Sequence, residues 1–252
     1  MNEVYSALAR YYDCFTKNME YEKRADYLCT LLSNAQVPQG CLVLDLACGT
    51  GNYCYALLER GYDVIGVDRS LEMLAVALEK AEQKNIAPPL LLCQSLEELD
   101  LYGTAKAAVC LTDSINHITQ PAKLQRFFKR LSLFLEPGGV FLFDFNTQYK
   151  QEKILANNTF VYENEAAGAF CVWQNSWLPE ERQTEIHMDL FTREGEGYRR
   201  SQEAFAQRVY APAALERMLR RAGFRLEGIY DELTLLPLRT DSQRGFAVAR
   251  RG

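Results

Sequence analysis

Between residues 41 and 146, short apolar runs alternate with segments whose apolar residues recur at helical spacing, and no other feature constrains the fold as much. Residues 41–46, 63–67, 90–93, 107–111 and 140–145 read as strands, each a brief apolar run bounded by turn residues. Residues 52–60 read as a helix stopped by Gly61. Ser70 opens a second helix as N-cap, with Leu71, Leu74, Leu78 and Ala81 on one face. Ser95 and Glu98 have capping-box spacing. Pro121 starts a helix striped by Leu124, Phe128, Leu131 and Leu135, and Pro137-Gly138-Gly139 turns the chain into the fifth strand. Strands separated by amphipathic helices need crossover connections, hence parallel pairing and burial on both faces. The expected fold class is α/β: a doubly wound, mostly parallel seven-stranded sheet with helices on both faces, in a single domain of residues 1–252.

Two stretches depart from this rhythm. Residues 1–40 read as an N-terminal helical cap, with Tyr21, Ala25, Leu28 and Leu32 at helical spacing before Pro38. Residues 146–210 carry strand-like runs at 159–163, 170–173 and 184–191 with no long helix between them. They predict an antiparallel β insertion after the fifth strand, lying over the active site. The earlier pattern then resumes. Pro212 opens a helix with Leu215, Met218, Leu219 and Ala222 inward, Gly223 ends it, and residues 224–236 and 245–250 supply two last strands.

A net charge of -5 argues against generic affinity for a polyanion. The arginines between 193 and 225 are interrupted by Glu194, Glu196, Glu203 and Glu216, which predicts a solvated mixed-charge surface. The eight cysteines include no C-x-x-C pair and only two histidines could assist them, so neither a disulfide framework nor a metal site is expected. Residues 1–6 show no basic segment followed by an apolar one, and no apolar run approaches the ~20 residues that span a bilayer. The expected setting is the cytoplasm, without membrane contact.

The chemistry gathers after the first strand. Gly49-Thr50-Gly51 lies between a strand and a helix start, at the carboxyl end of the sheet where open α/β folds bind ligands. Glycines there let a ligand approach the backbone, although a tight turn alone would use them too. Asp45 lies within an apolar strand, where an unpaired charge is costly. Asp68 ends the second strand, where a carboxylate can accept from both ribose hydroxyls of an adenosine cofactor, or serve as a helix N-terminal acid. A dinucleotide site would place a third glycine where Cys54 stands. The carboxylate of Asp45 suits a cofactor with a free ammonium, and S-adenosylmethionine has one.

These residues resemble the Rossmann-like class I S-adenosylmethionine-dependent methyltransferases, particularly a small bacterial group written D-x-A-C-G-T-G. Asp45-Leu46-Ala47-Cys48-Gly49-Thr50-Gly51-Asn52 is similar to their first motif, and Gly66-Val67-Asp68-x-Ser70-x-x-Met73-Leu74 to their second. Residues 110–116, with Thr112, Asp113 and Ser114, resemble the fourth-strand motif. Leu135-x-Pro137-Gly138-Gly139 and residues 143–150 resemble the turn before the fifth strand and the stretch after it. Tyr11-Tyr12-Asp13 fits the early Tyr-Asp segment that caps the cofactor in this group. The resemblance thus implies contacts from Tyr12, Asp45, Ala47, Cys48, Gly49, Gly51, Asn52, Asp68, Met73, Thr112, Asp113, Ser114 and His117. Two places depart from the group. Gln94-Ser95-Leu96 replaces Gly-Asp-Met, so Ser95 offers the hydrogen bond and Leu96 the packing at adenine; Arg69 stands where an apolar residue is usual.

Transfer from a sulfonium needs a positioned acceptor, and a base only if the acceptor must lose a proton. His117, Asp113 and Tyr149 are the candidate bases, and His117 could equally satisfy a core carbonyl. Asn146, Tyr149 and Trp173 are the candidate acceptor-site residues, with Tyr162, Phe170, Trp177 and His187 as further wall candidates or simply a packed sheet face. The leading expectation is methyl transfer to nitrogen or oxygen of a small molecule. The alternatives are an RNA base as acceptor and a non-catalytic cofactor-binding module.

Overall fold

The computed structural model describes residues 8–252, so the reading of residues 1–6 lies outside it. Five parallel strands form the heart of the main sheet: β1 (Leu42–Leu46), β2 (Asp63–Asp68), β3 (Leu90–Cys93), β4 (Ala105–Cys110) and β5 (Leu135–Asn146). β11 (Arg244–Arg251) inserts antiparallel between β5 and β10 (Phe224–Asp231). The order β3-β2-β1-β4-β5-β11-β10 reverses between β1 and β4. This is the seven-stranded, mostly parallel, Rossmann-like sheet that the alternation predicts.

The central strands β1, β4 and β5 are buried on both faces, as crossover helices require, while the edge strand β3 is partly exposed. On one face Phe141, Phe143 and Phe145 project from β5 at a period of two. Phe127 and Phe128 of α5 (Pro121–Phe134) each meet Phe141 at 5.9 Å between ring centroids. Leu215 and Leu219 of α6 (Pro212–Arg221) complete that layer. On the other face Val43, Val109 and Leu142 pack against Leu28 and Leu32 of α2 (Tyr21–Asn34) and Leu57 of α3 (Asn52–Glu59).

α4 (Leu71–Lys84) starts at Ser70 as expected, and the Ser70 hydroxyl accepts from the Met73 amide. Its inward face differs from the expected one. Met73, Leu74, Ala77 and Ala81 are buried, whereas Leu71 and Leu78 are 62% and 45% exposed. Those two leucines are seven residues apart on a flank roughly a quarter turn from the buried stripe. The capping box also does not form. Ser95 donates to the Glu98 carboxylate at 2.9 Å, and only a short 3-10 turn follows.

After β5 the chain builds a separate antiparallel sheet, β6 (Thr159–Asn164), β7 (Ala169–Leu178), β8 (Gln183–Glu194) and β9 (Gly197–Arg208), in sequential order. The mostly polar β9 lies at its edge, and with Phe205 set among polar neighbours it gives little apolar alternation to read. Cys171, Ile186, Met188 and Leu190 form this sheet's apolar face. Tyr12 and Phe15 of the one-turn helix α1 (Tyr12–Phe15) pack on it. Residues 8–40 therefore serve two layers, α1 on the antiparallel sheet and α2 on the main one. Among the described residues, no helix is long and apolar enough to cross a membrane.

Candidate active site

The carboxyl ends of β1, β2 and β4 open into a cavity at the point where strand order reverses. Its floor is the turn after β1. Gly51 has φ +76°, and a Cβ there would lie 3.1 Å from the Ala77 side chain. The Gly49 amide donates to Asp68 Oδ2 at 2.8 Å and the Ser70 amide to Oδ1 at 2.9 Å, so the end of β2 is locked to the turn after β1. Asp45 is 1% exposed, and the thiol of Cys54 donates to its Oδ2 at 3.1 Å. Burial pushes the Asp45 carboxyl up to about 7, only partly offset by that thiol. Cys54, unreadable as more than a missing glycine, is thus a donor to the carboxylate. Gly66 makes room for it, because a Cβ on Gly66 would lie 2.9 Å from the Cys54 sulfur and 3.0 Å from the Cys48 sulfur.

Tyr12, Asp45, Ala47, Cys48, Gly49 and Asn52 all line this cavity. So do Asp68, Arg69, Met73, Gln94, Ser95 and Leu96, and across them Thr112, Ser114 and His117. Gly51 sits behind the turn and Asp113 faces away from this cavity, toward a second one. Gln94 is engaged elsewhere, its amide paired with the backbone of Asp100 at 3.0 and 2.9 Å. Asp13 accepts from Thr50 Oγ1 at 2.7 Å and Asn52 Nδ2 at 2.9 Å, and pairs with Lys80 at 2.6 Å. That cluster ties α1 to the glycine-rich turn.

The second cavity lies between α1, the antiparallel sheet and the ends of β4 and β5. It shares Tyr12, Thr112 and His117 with the first. Ala47, Thr112 and Asp113 have φ of 57°, 56° and 52°, a left-handed conformation that side chains other than glycine's adopt at a cost of about 1–3 kcal/mol each. Asp144, fully buried, holds the strained pair: its carboxylate accepts from the Thr112 and Asp113 amides at 3.1 and 2.5 Å. Arg244 then bridges Asp113 at 2.6 Å and Asp144 at 2.9 Å.

Residues 43–139 match a family described as a methyltransferase domain. YqeM of Bacillus subtilis (strain 168), a protein named as a methyltransferase, is 30% identical over 98% of this chain and 97% of its own. The chain belongs to that family. It also resembles the crystal structure of an S-adenosylmethionine-dependent methyltransferase from Clostridium acetobutylicum ATCC 824, with a TM-score of 0.86 and 28% identity over 98% of this chain and 99% of that one. The fold recurs in the sugar N-methyltransferase KedS8 from Streptoalloteichus sp ATCC 53650, at a TM-score of 0.76 and 22% identity over 100% and 94% of the two chains. The protein is a class I methyltransferase, an enzyme whose cofactor is S-adenosylmethionine.

In this methyltransferase the candidate acceptor-site residues separate. Asn146 and Trp173 line the second cavity, as does Tyr162. Tyr149 lines neither cavity; the chain coils after Thr147, and Lys150, one residue on, takes the lining position. Phe170, Trp177 and His187 also line neither. Phe170 packs with Phe191 instead, at 5.9 Å between centroids on the other face of β7 and β8. His117 is held neutral, its pKa lowered by burial. Gln207 Nε2 lies 2.6 Å from Asp113 Oδ2 and 3.0 Å from His117 Nε2, so its two N–H groups serve both. The lone pair on His117 Nε2 is thereby used, and the ring proton sits on Nδ1.

Proposed function

We propose that the methyltransferase binds S-adenosylmethionine in the first cavity and methylates a nitrogen or oxygen of a small molecule held in the second. The observation that carries this is the pair of adjoining cavities with a common wall of Tyr12, Thr112 and His117. The residues of the first suit the cofactor: Asp45 offers a buried carboxylate for an ammonium, and Asp68 lies where ribose hydroxyls can donate. When bound, S-adenosylmethionine supplies a methyl group activated by its sulfonium charge. The chain contributes alignment, worth about 7–11 kcal/mol of barrier when two reactants are well positioned. His117 acts here as a wall, since its Nε2 lone pair is engaged.

Small-molecule transfer is favoured over RNA by the surface. Arg199 faces Glu194 at 3.6 Å, Arg200 faces Asp189 at 2.7 Å and Arg225 faces Glu227 at 2.9 Å. An RNA rim needs a continuous run of unopposed cations beside exposed aromatics, whereas Arg193 over Tyr198 stands among these paired arginines. The likeness to KedS8, a sugar N-methyltransferase, agrees with a small acceptor.

The test is titration calorimetry with S-adenosylmethionine, followed by transfer of a labelled methyl to a small-molecule extract. Saturable binding is expected, weakened about 10- to 100-fold in Asp68→Asn through loss of a charged acceptor. Wild-type affinity in that variant, or label entering RNA alone, overturns the reading.

A further inference from the structure

The second cavity holds two polar groups with no use so far, and the network behind them fixes their chemistry. Asp113 accepts from Arg244 through Oδ1, and its pKa is lowered, chiefly by the Arg244 charge acting against burial. Its ionised Oδ2 then requires a donor, which orients Gln207 with Nε2 toward it at 2.6 Å. Gln207 Oε1 in turn accepts from Gln151 Nε2 at 2.8 Å and Asn146 Nδ2 at 3.3 Å. Asn146 therefore presents Oδ1 as an acceptor. The residue is 2% exposed and lines the cavity, yet among the described residues that oxygen has no hydrogen-bond partner. A buried acceptor left so is costly and marks a place for a donor.

The second group is Lys150. It lines the same cavity and makes no ion pair among the described residues. The acids that face it are engaged by two guanidiniums: Arg244 holds Asp113 and Asp144 at 2.6 and 2.9 Å, and Glu232 pairs with Arg24 at 2.6 Å as well as with Arg244 at 3.3 Å. Tyr12, Phe15, Phe160, Tyr162 and Trp173 make the rest of the wall largely aromatic.

Resting on the small-molecule reading above, we propose that the acceptor carries an oxyanion, a carboxylate or a phosphate monoester, that pairs with Lys150, and an N–H or O–H that donates to Asn146 Oδ1. A neutral acceptor would satisfy Asn146 and leave the ammonium unpaired. An anionic amine or alcohol satisfies both.

The purified protein and labelled S-adenosylmethionine are incubated with the low-molecular-weight fraction of a cell extract. The labelled product is weighed before and after carbodiimide with methylamine, which amidates carboxylates, and alkaline phosphatase, which removes phosphate monoesters. One of the two treatments is expected to change its mass. With that acceptor, Lys150→Met raises KM about 10- to 100-fold and leaves kcat and cofactor affinity near wild type, as loss of uniform binding does. Lys150→Arg restores KM, because a guanidinium pairs with an oxyanion but cannot act as a base. A product unchanged by both treatments overturns the assignment while the small-molecule reading stands. So does wild-type KM in Lys150→Met, or a Lys150→Arg variant with the kcat of a lost base. The mass measurement needs no variant, so poor folding of one cannot decide the matter. Label found in no small molecule, with cofactor binding intact, overturns the small-molecule reading and this assignment with it.

Discussion

Asp45 lies within β1 with 1% of its surface exposed, and burial holds its pKa at about 7 rather than its ordinary 3.8. A raised folded value means that ionising Asp45 opposes folding as pH climbs from about 4 toward about 7. An ammonium ligand favours the ionised form and so reverses that cost. Affinity for S-adenosylmethionine should therefore rise by up to tenfold per pH unit below pH 7 and level off above it, by roughly 1.36 kcal/mol per unit. Calorimetry across that range checks this, and Asp45→Asn should flatten the dependence. At this scale Asp45 and Asp68 were legible because a carboxylate in an apolar strand needs a reason. Arg244, Gln207 and Lys80 were not, since each meets its partner across a long stretch of chain: Arg244 and Asp113 are 131 positions apart.

Among elements, β11 does more than join β5 to β10. Its first residue, Arg244, ties the strained end of β4 to Asp144 on β5. Replacing it leaves Asp144 buried with one counter-charge fewer, and breaking such a pair costs about 3–5 kcal/mol. Arg244→Met should lose that much in urea unfolding; a change within about 0.5 kcal/mol, typical of surface sites, would contradict the bridge. α1 depends on a different tie. Lys80 pairs with Asp13, whose side chain is 36% exposed, so solvent screens the pair and it is worth about 1 kcal/mol. Lys80→Met should speed amide exchange over residues 12–16 and leave the main sheet unaltered, because the loss is local. Periodicity gave these elements where an apolar face exists, as in α5 and β5. It missed β9, whose residues are mostly polar, and it wrongly turned Leu71 and Leu78 of α4 inward, because leucine identity alone does not say which stripe meets the sheet.

For the whole molecule, the two cavities meet at Tyr12, Thr112 and His117, so α1 and the antiparallel sheet close over the end of a conventional α/β core. The core was readable because strands and helices alternate along the chain. The closure was not, because α1 meets β6 and β7 only after more than a hundred residues of chain have folded between them. Binding to the native state alone raises stability by about 2.7 kcal/mol at a hundredfold excess over Kd. That corresponds to a rise in Tm of roughly 5–10 °C for a chain of this size, readable in a thermal scan. The placement itself is tested most directly by a crystal structure with S-adenosylhomocysteine. The account predicts its amino-acid end against Asp45, its ribose on Asp68 and its sulfur facing the wall shared with the second cavity. Electron density at another place, or a sulfur turned away from that wall, would contradict it.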